Sequence, residues 1–157
     1  RMTAGLHRDF LRLAMDNKLV SPGRADALGV PVDLGKVTVD SYIVGGVTDH
    51  ITPWDSCYRS VGMLGGSSRF VLSSSGHVAA LVNPTTNAKA RYQTSADNPV
   101  DPVAWLNGAE TVAGSWWSDY TTWLGGRSGT SGPARPELGR GRFEPIATAP
   151  GTYVHDR

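Results

Sequence analysis

Apolar residues recur at helical spacing from the start of the chain: Leu6, Phe10, Leu13 and Ala14 fall on one face, with Arg8, Arg12 and Asp16 off it. The pattern predicts a helix over residues 4–17, stopped by Ser21-Pro22-Gly23. The period then changes. Residues 37–46, VTVDSYIVGG, are β-branched and aromatic and predict a strand that closes on Gly45-Gly46. After the loop VTDHI, the helical period returns over residues 52–66, where Trp54, Cys57, Tyr58, Val61 and Leu64 make an apolar stripe. Thr52 stands at the N-cap position, Pro53 at the first helical position and Asp55 where a capping box needs an acid, with Gly65-Gly66 as the stop. SRFVLSSS, residues 68–75, predicts a second short strand.

Strand, helix and strand within residues 37–75 make a βαβ unit, so the two strands are expected to be parallel with a right-handed crossover. Asp49 follows the first strand and His77 the second. Parallel strands bring both ends to one edge of the sheet, where open α/β folds place their sites. Beyond His77, residues 83–99 read as a long polar loop, Asp101-Pro102 opens a short helix carrying Trp105, and Ser115 caps another. Trp116, Tyr120, Trp123 and Leu124 give that last helix an apolar face; Trp116, Trp117 and Trp123 cannot all share it, so some must meet another surface. From Gly125 onward Gly, Ser, Pro and Arg dominate without periodicity. The expected organisation is an α/β domain over residues 1–124 and an extended tail over residues 125–157, with no internal repeat.

A length of 157 residues suits one domain with a sizeable core. The net charge of +1 gives no electrostatic footprint for nucleic acid or an anionic membrane. No apolar run approaches the roughly 20 residues of a membrane span. Cys57 is the only cysteine, which excludes an internal disulfide and suits a reducing compartment; with four scattered histidines it gives no metal-ligand spacing. Arg1 precedes Met2 and the periodicity begins at once, without a signal-peptide or transit pattern, so the chain is expected to begin within a longer protein.

An aspartate and then a histidine at successive strand ends is the order of the last two triad members in α/β-hydrolases. Taken alone, the pair also reads as a loop cap and a loop histidine. Four stretches add to it: VGGVTDHITPW, RFVLSSSGHVAALVNP, DPVAWLNGA and GSWWSDYTTWL, in that order. They resemble the C-terminal part of the single-subunit poly(3-hydroxyalkanoate) synthases, and LHRDFLRLAMDNKLVSPG and EPIATAPGTYV extend the resemblance almost end to end. The resemblance implies the C-terminal part of an α/β-hydrolase fold and a Cys-Asp-His triad acting on (R)-3-hydroxyacyl-CoA, with the aspartate at Asp49 and the histidine at His77. It implies no separate cofactor, since coenzyme A is part of the substrate. The growing polyester and a second copy of the chain are the implied partners, and a cytoplasmic place at the surface of polyester inclusions the implied location. His50 either meets substrate or shapes the loop; Ala79 either lines the acyl pocket or packs a helix start. Arg127, Arg135, Arg140 and Arg142 in the tail either touch CoA phosphates or are solvated.

The chain departs from that family at the nucleophile. The thiol belongs in a G-x-C-x-G elbow upstream of the aspartate, whose glycines let it stand exposed on a sharp strand-to-helix turn. No cysteine precedes Asp49, no G-x-S-x-G replaces the elbow, and Cys57 lies in WDSCYRS on the apolar stripe, where a free cysteine acts as a small hydrophobe. The expected function is therefore a synthase fragment holding two thirds of a triad, partnered by the upstream half that carries the cysteine. The strand at 37–46 would then lack its neighbour from that half. A non-catalytic truncated homologue that binds a synthase or a polyester granule, and a related esterase or depolymerase, are the rival readings.

Overall fold

The computed structural model describes residues 2–134, 139 and 141–156. These fall into two units, one ending at Leu124 and one beginning at Gly125. The first unit is a mixed α/β structure. It opens with α1 (Ala4–Met15), whose N-cap Thr3 accepts from the Leu6 N–H. A hairpin of β1 (Ala25–Ala27) and β2 (Val30–Val32) follows, turning on Leu28 and Gly29 at positive φ. Then come β3 (Ser41–Gly46), α2 (Trp54–Arg59), β4 (Ser68–Ser73), α3 (His77–Val82), β5 (Arg91–Thr94), α4 (Pro102–Gly108), β6 (Glu110–Ala113) and α5 (Trp117–Gly125). Among the described residues no helix is long and apolar enough to cross a membrane.

The main sheet has the order β3-β4-β5-β6. β3 and β4 run parallel from Ser41 opposite Ser68 to Gly46 opposite Ser73, as the βαβ pattern requires, and α2 connects them. β5 and β6 are antiparallel additions. β5 corrects the reading of residues 83–99 as one polar loop: RYQT alternates, with Tyr92 and Thr94 buried and Arg91 exposed, but one strongly apolar residue in four gives too weak a period to read. The β1–β2 hairpin was hidden for a similar reason, its strands being three residues long.

The period of two along the strands divides the core between the two faces of the sheet. Tyr58, Phe70, Leu72 and Trp105 fill one side, with Ile43, Trp54, Cys57 and Val61 packed against them. The stripe read for α2 is therefore the surface it buries, Trp54 and Cys57 included. On the other side Val71, Tyr92 and Trp116 pack with Tyr42, Val44 and Tyr120. The ends of α2 differ from expectation. Its N-cap is Pro53, without a side-chain hydrogen bond, and the helix passes at Arg59 into a 3-10 turn over Ser60–Gly62. Gly65 and Gly66 serve a close approach instead: a Cβ on either would overlap the backbone at Gly35 or Val39, which the chain passes there.

An ion pair fastens α5 across the parallel strands. Arg69 on β4 donates from Nε and Nη2 to the two Asp119 oxygens at 2.7 and 2.6 Å, and Tyr42 on β3 donates its hydroxyl to Asp119 Oδ2 at 2.7 Å. Burial and the neighbouring Asp119 push the Tyr42 phenol well above its ordinary range. Burial alone would raise Asp119, but the hydrogen bonds from Arg69 and Tyr42 and the Arg69 charge outweigh it, and its carboxyl is held low.

The face read for α1 is correct in spacing but uncovered: no residue of α1 is buried, and Leu6 and Phe10 are 59% and 57% exposed. β3 stands at the end of the sheet order, with β4 its neighbour there. In the second unit the Arg142 guanidinium sits 4.8 Å above the Phe143 ring, while Arg135 and Arg140 lie outside the described residues.

Asp119→Ala strands two donors that are partly out of water. Because Arg69 is about a third exposed, the expected cost is about 2 kcal/mol, between a surface and a buried pair. Since the Asp119 carboxyl is lowered on folding, its contribution is present above pH ~4, the unfolded aspartate value, and is lost as pH falls through the folded one. Urea titrations at pH 7 and pH 3 are expected to show the difference between wild type and Asp119→Ala shrinking at the lower pH.

Candidate active site

The loops that leave β3 and β4 are laced together by backbone hydrogen bonds. Val47 N–H donates to Ser73 O at 3.0 Å and Thr48 N–H to Ser75 O at 3.2 Å. Between them the chain turns sharply, with Ser75 at φ 86° and Gly76 so close to Thr48 that an added Cβ would stand 3.0 Å from its carbonyl oxygen. Gly46 does the corresponding work on β3. A side chain there would meet the Ala80 Cβ at 2.9 Å, so the glycine lets α3 settle onto the strand end. The two turns bring Asp49 and His77 together.

His77 Nδ1 lies 2.9 Å from Asp49 Oδ2 and 3.1 Å from Oδ1. An ionised carboxylate only accepts, so Nδ1 carries a proton, which in the neutral imidazole leaves Nε2 with its lone pair. Among the described residues Nε2 has no hydrogen-bond partner, and the His77 side chain is 43% exposed. Asp49 is the opposite case, its side chain 7% exposed. Oδ1 also accepts from the Ile51 and Thr52 N–H groups at 2.9 and 3.0 Å, and Oδ2 from the Thr52 hydroxyl at 2.7 Å. The Thr52 bonds above all, joined by those from His77 and Ile51, hold the Asp49 carboxyl far below the usual carboxylate range. A permanent anion fixes an imidazole that keeps one free basic nitrogen.

The serines of SSSGH have separate tasks. Ser73 donates to Ala80 O at 2.9 Å, and Ser74 Oγ accepts from Arg91 N–H at 3.2 Å. Buried Asn83 donates to Ser73 Oγ at 3.1 Å. From the far end of the first unit, Trp116 Nε1 donates to Ala80 O at 2.9 Å, and Trp117 Nε1 to Leu81 O and Val82 O at 3.3 and 3.1 Å. Ser115 Oγ donates to Asn83 O and accepts from Trp117 N–H, which makes it the expected cap of α5. The helix opened by His77 is thus held at its C-terminal carbonyls by two indoles from α5 and the residue before it. Trp116 is buried in the core and Trp117 is 38% exposed at the surface of α3, so the tryptophans do divide between surfaces.

His50 is exposed beside Asp49, and Ala79 is exposed on α3. Cys57 points into α2's own start, its thiol 3.7 Å from Thr52 O; burial, and then the charge of Asp49, push it above its ordinary value, so it is a protonated thiol at neutral pH. Thr52, Asn83 and the two indoles are the site residues that the sequence reading did not assign to it. In the sequence the only signal for Thr52 is a hydroxyl three residues after Asp49, which reads equally well as a helix cap.

No family model matches the chain. Among curated proteins it is 45% identical over all 157 residues to poly(3-hydroxyalkanoate) polymerase 1 of Ectopseudomonas oleovorans, and 45% identical over the same length to polymerase 2 of that organism. It is 42% identical over 140 residues to the poly(3-hydroxyalkanoate) polymerase subunit PhaC of Cupriavidus necator. The chain spans 28%, 28% and 24% of the lengths of these three proteins, at their C-terminal end.

Trp117→Phe keeps an aromatic ring but removes the donor to Leu81 and Val82. As that end of α3 is partly wet, the expected loss is about 0.5–1 kcal/mol. Amide exchange in residues 80–83 is expected to quicken more than exchange in β4, which hydrogen-exchange NMR resolves.

Proposed function

The chain is homologous to the C-terminal quarter of the poly(3-hydroxyalkanoate) polymerases, and we propose that within such a protein it supplies the acid and base of an acyl-transfer site. The observation that carries this reading is the 2.9 Å contact between Asp49 and His77 Nδ1 at the adjoining ends of two parallel strands. This is how an α/β-hydrolase fold presents the last two members of its triad. The nucleophile is a cysteine outside the chain, on the part of the polymerase that precedes it.

The chemistry follows from the free imidazole nitrogen. His77 Nε2 takes the proton of that thiol, and the thiolate attacks the carbonyl of an (R)-3-hydroxyacyl-CoA thioester. The carbon–sulfur bond to coenzyme A breaks, and the imidazolium returns the proton to the leaving thiolate. In the next round the same base takes the proton of a 3-hydroxyl group, whose oxygen attacks the enzyme-bound acyl group; the carbon–sulfur bond to the enzyme's cysteine breaks, the imidazolium returns the proton to that thiolate, and the polyester is one unit longer. Asp49 stays ionised and stabilises the imidazolium in both half-reactions. In this reading His50, next to Asp49, and Ala79, two residues after His77, meet the substrate; both are exposed. The enzyme works at the surface of polyester inclusions, as a dimer.

Cys57 is not the thiol of this mechanism. It packs against the Phe70–Trp105 core and lacks the exposed turn a nucleophile needs. A second reading, in which the chain is a non-catalytic homologue that docks on a polymerase, draws on the uncovered apolar face of α1.

The purified chain is expected to release no coenzyme A from 3-hydroxybutyryl-CoA. Co-production with the preceding segment of a homologous polymerase is expected to restore release, and His77→Ala in that assembly to lower it by ~10²–10⁴. Turnover by the chain alone that vanishes in Cys57→Ser overturns the proposal. Sedimentation of the chain alone is expected to show self-association, because β3 ends the sheet with β4 on one side only and no residue of α1 is buried. A monodisperse monomer melting cooperatively above ~65 °C would instead mark an independent domain.

A further inference from the structure

We infer that Thr52 is a positioning residue for the Asp49–His77 pair: its hydroxyl holds the carboxylate oxygen that faces the imidazole and so sets how tightly the histidine keeps a proton. The inference rests on the acyl-transfer reading for its purpose, but the proton equilibrium it describes is a property of this chain and is measured without turnover.

Thr52 stands just before Pro53, the N-cap of α2, and the start of that helix takes no side-chain cap. The hydroxyl turns back and donates to Asp49 Oδ2 at 2.7 Å, the same oxygen that His77 Nδ1 meets at 2.9 Å. The Thr52 N–H meanwhile holds Oδ1 at 3.0 Å, so one residue grips both oxygens. Two effects follow. The carboxylate plane is fixed, which fixes the direction of the imidazole. The hydroxyl also shares the negative charge on Oδ2 and leaves less of it to stabilise the His77 cation. Without the hydroxyl, Oδ2 faces Nδ1–H alone and the imidazolium is favoured. Among the described residues the titratable groups coupled to Asp49 are His77, from the start of α3, and Cys57, from α2, which stays protonated. Asp55, on α2, acts on Cys57, and His50 is exposed next to the carboxylate.

The test is a titration of the His77 ring by NMR in the 157-residue chain, comparing wild type with Thr52→Val and Thr52→Ser. Thr52→Val is expected to raise the midpoint by about 0.5 pH unit, a fraction of what a hydrogen bond to a charged group contributes. Thr52→Ser, which keeps the hydroxyl, is expected to stay within ~0.1 unit of wild type, a shift worth little free energy. No shift or a downward one in a folded Thr52→Val overturns the inference, as does a Thr52→Ser that moves with it. If Thr52→Val fails to fold, the wild-type spectrum decides: a slowly exchanging Thr52 hydroxyl proton with an NOE to the His77 Nδ1 proton supports the clamp, and its absence overturns it. A titration that follows Thr52 while the reconstituted polymerase stays silent leaves this inference standing and removes the acyl-transfer reading.

Discussion

The site depends on how closely α3 can approach the end of β3. At Gly46 the helix and strand stand at a distance that admits no side chain, with Ala80 filling the space a Cβ would take. From that contact the rest follows. The loops after β3 and β4 come within backbone hydrogen-bonding reach, Gly76 passes against Thr48, and the first residue of α3 meets the carboxylate that follows β3. Interiors packed to crystal density do not yield to an added methyl without displacement somewhere, and here the displaced group would be the helix that carries His77.

The polar bonds around this contact are arranged in two tiers. Near the imidazole, Asp49 is saturated with donors and remains an anion. At the other end of α3, Ser73, Trp116 and Trp117 satisfy carbonyls that a six-residue helix would otherwise leave to water, and Asn83 in turn holds the Ser73 hydroxyl. The Arg69–Asp119–Tyr42 cluster completes the chain of support, because it fixes the helix to which Trp117 belongs onto the same two parallel strands that deliver Asp49 and His77.

The parallel pair and its crossover helix were legible because each has a strong period and strong punctuation: β-branched runs, a Pro start, and glycines at the ends. The meeting of Asp49 and His77 was legible for the same reason, since parallel topology alone carries two strand ends to one edge. What was not legible depends on partners distant in sequence. β5 is a strand because β4 offers it hydrogen bonds, and β6 because β5 does in turn, not because RYQT or ETVA announces one. Arg69 and Asp119 lie 50 residues apart, and nothing in either neighbourhood points to the other. Thr52 shows a different limit. A threonine before Pro-Trp-Asp has the same letters whether its hydroxyl serves the helix ahead or the carboxylate behind.

The brevity of α3 bears on the order in which the molecule is made. A helix of six residues is far below the ~12–15 at which isolated helices become even marginal, so its shape is imposed from outside. The indoles that impose it come about 35 residues later in the chain. During synthesis Asp49 and His77 both leave the ribosome before those anchors exist, and the imidazole is tethered but not aimed until α5 arrives and docks. The direction of the His77 ring is therefore set late, by indoles at the start of the last helix of the first unit.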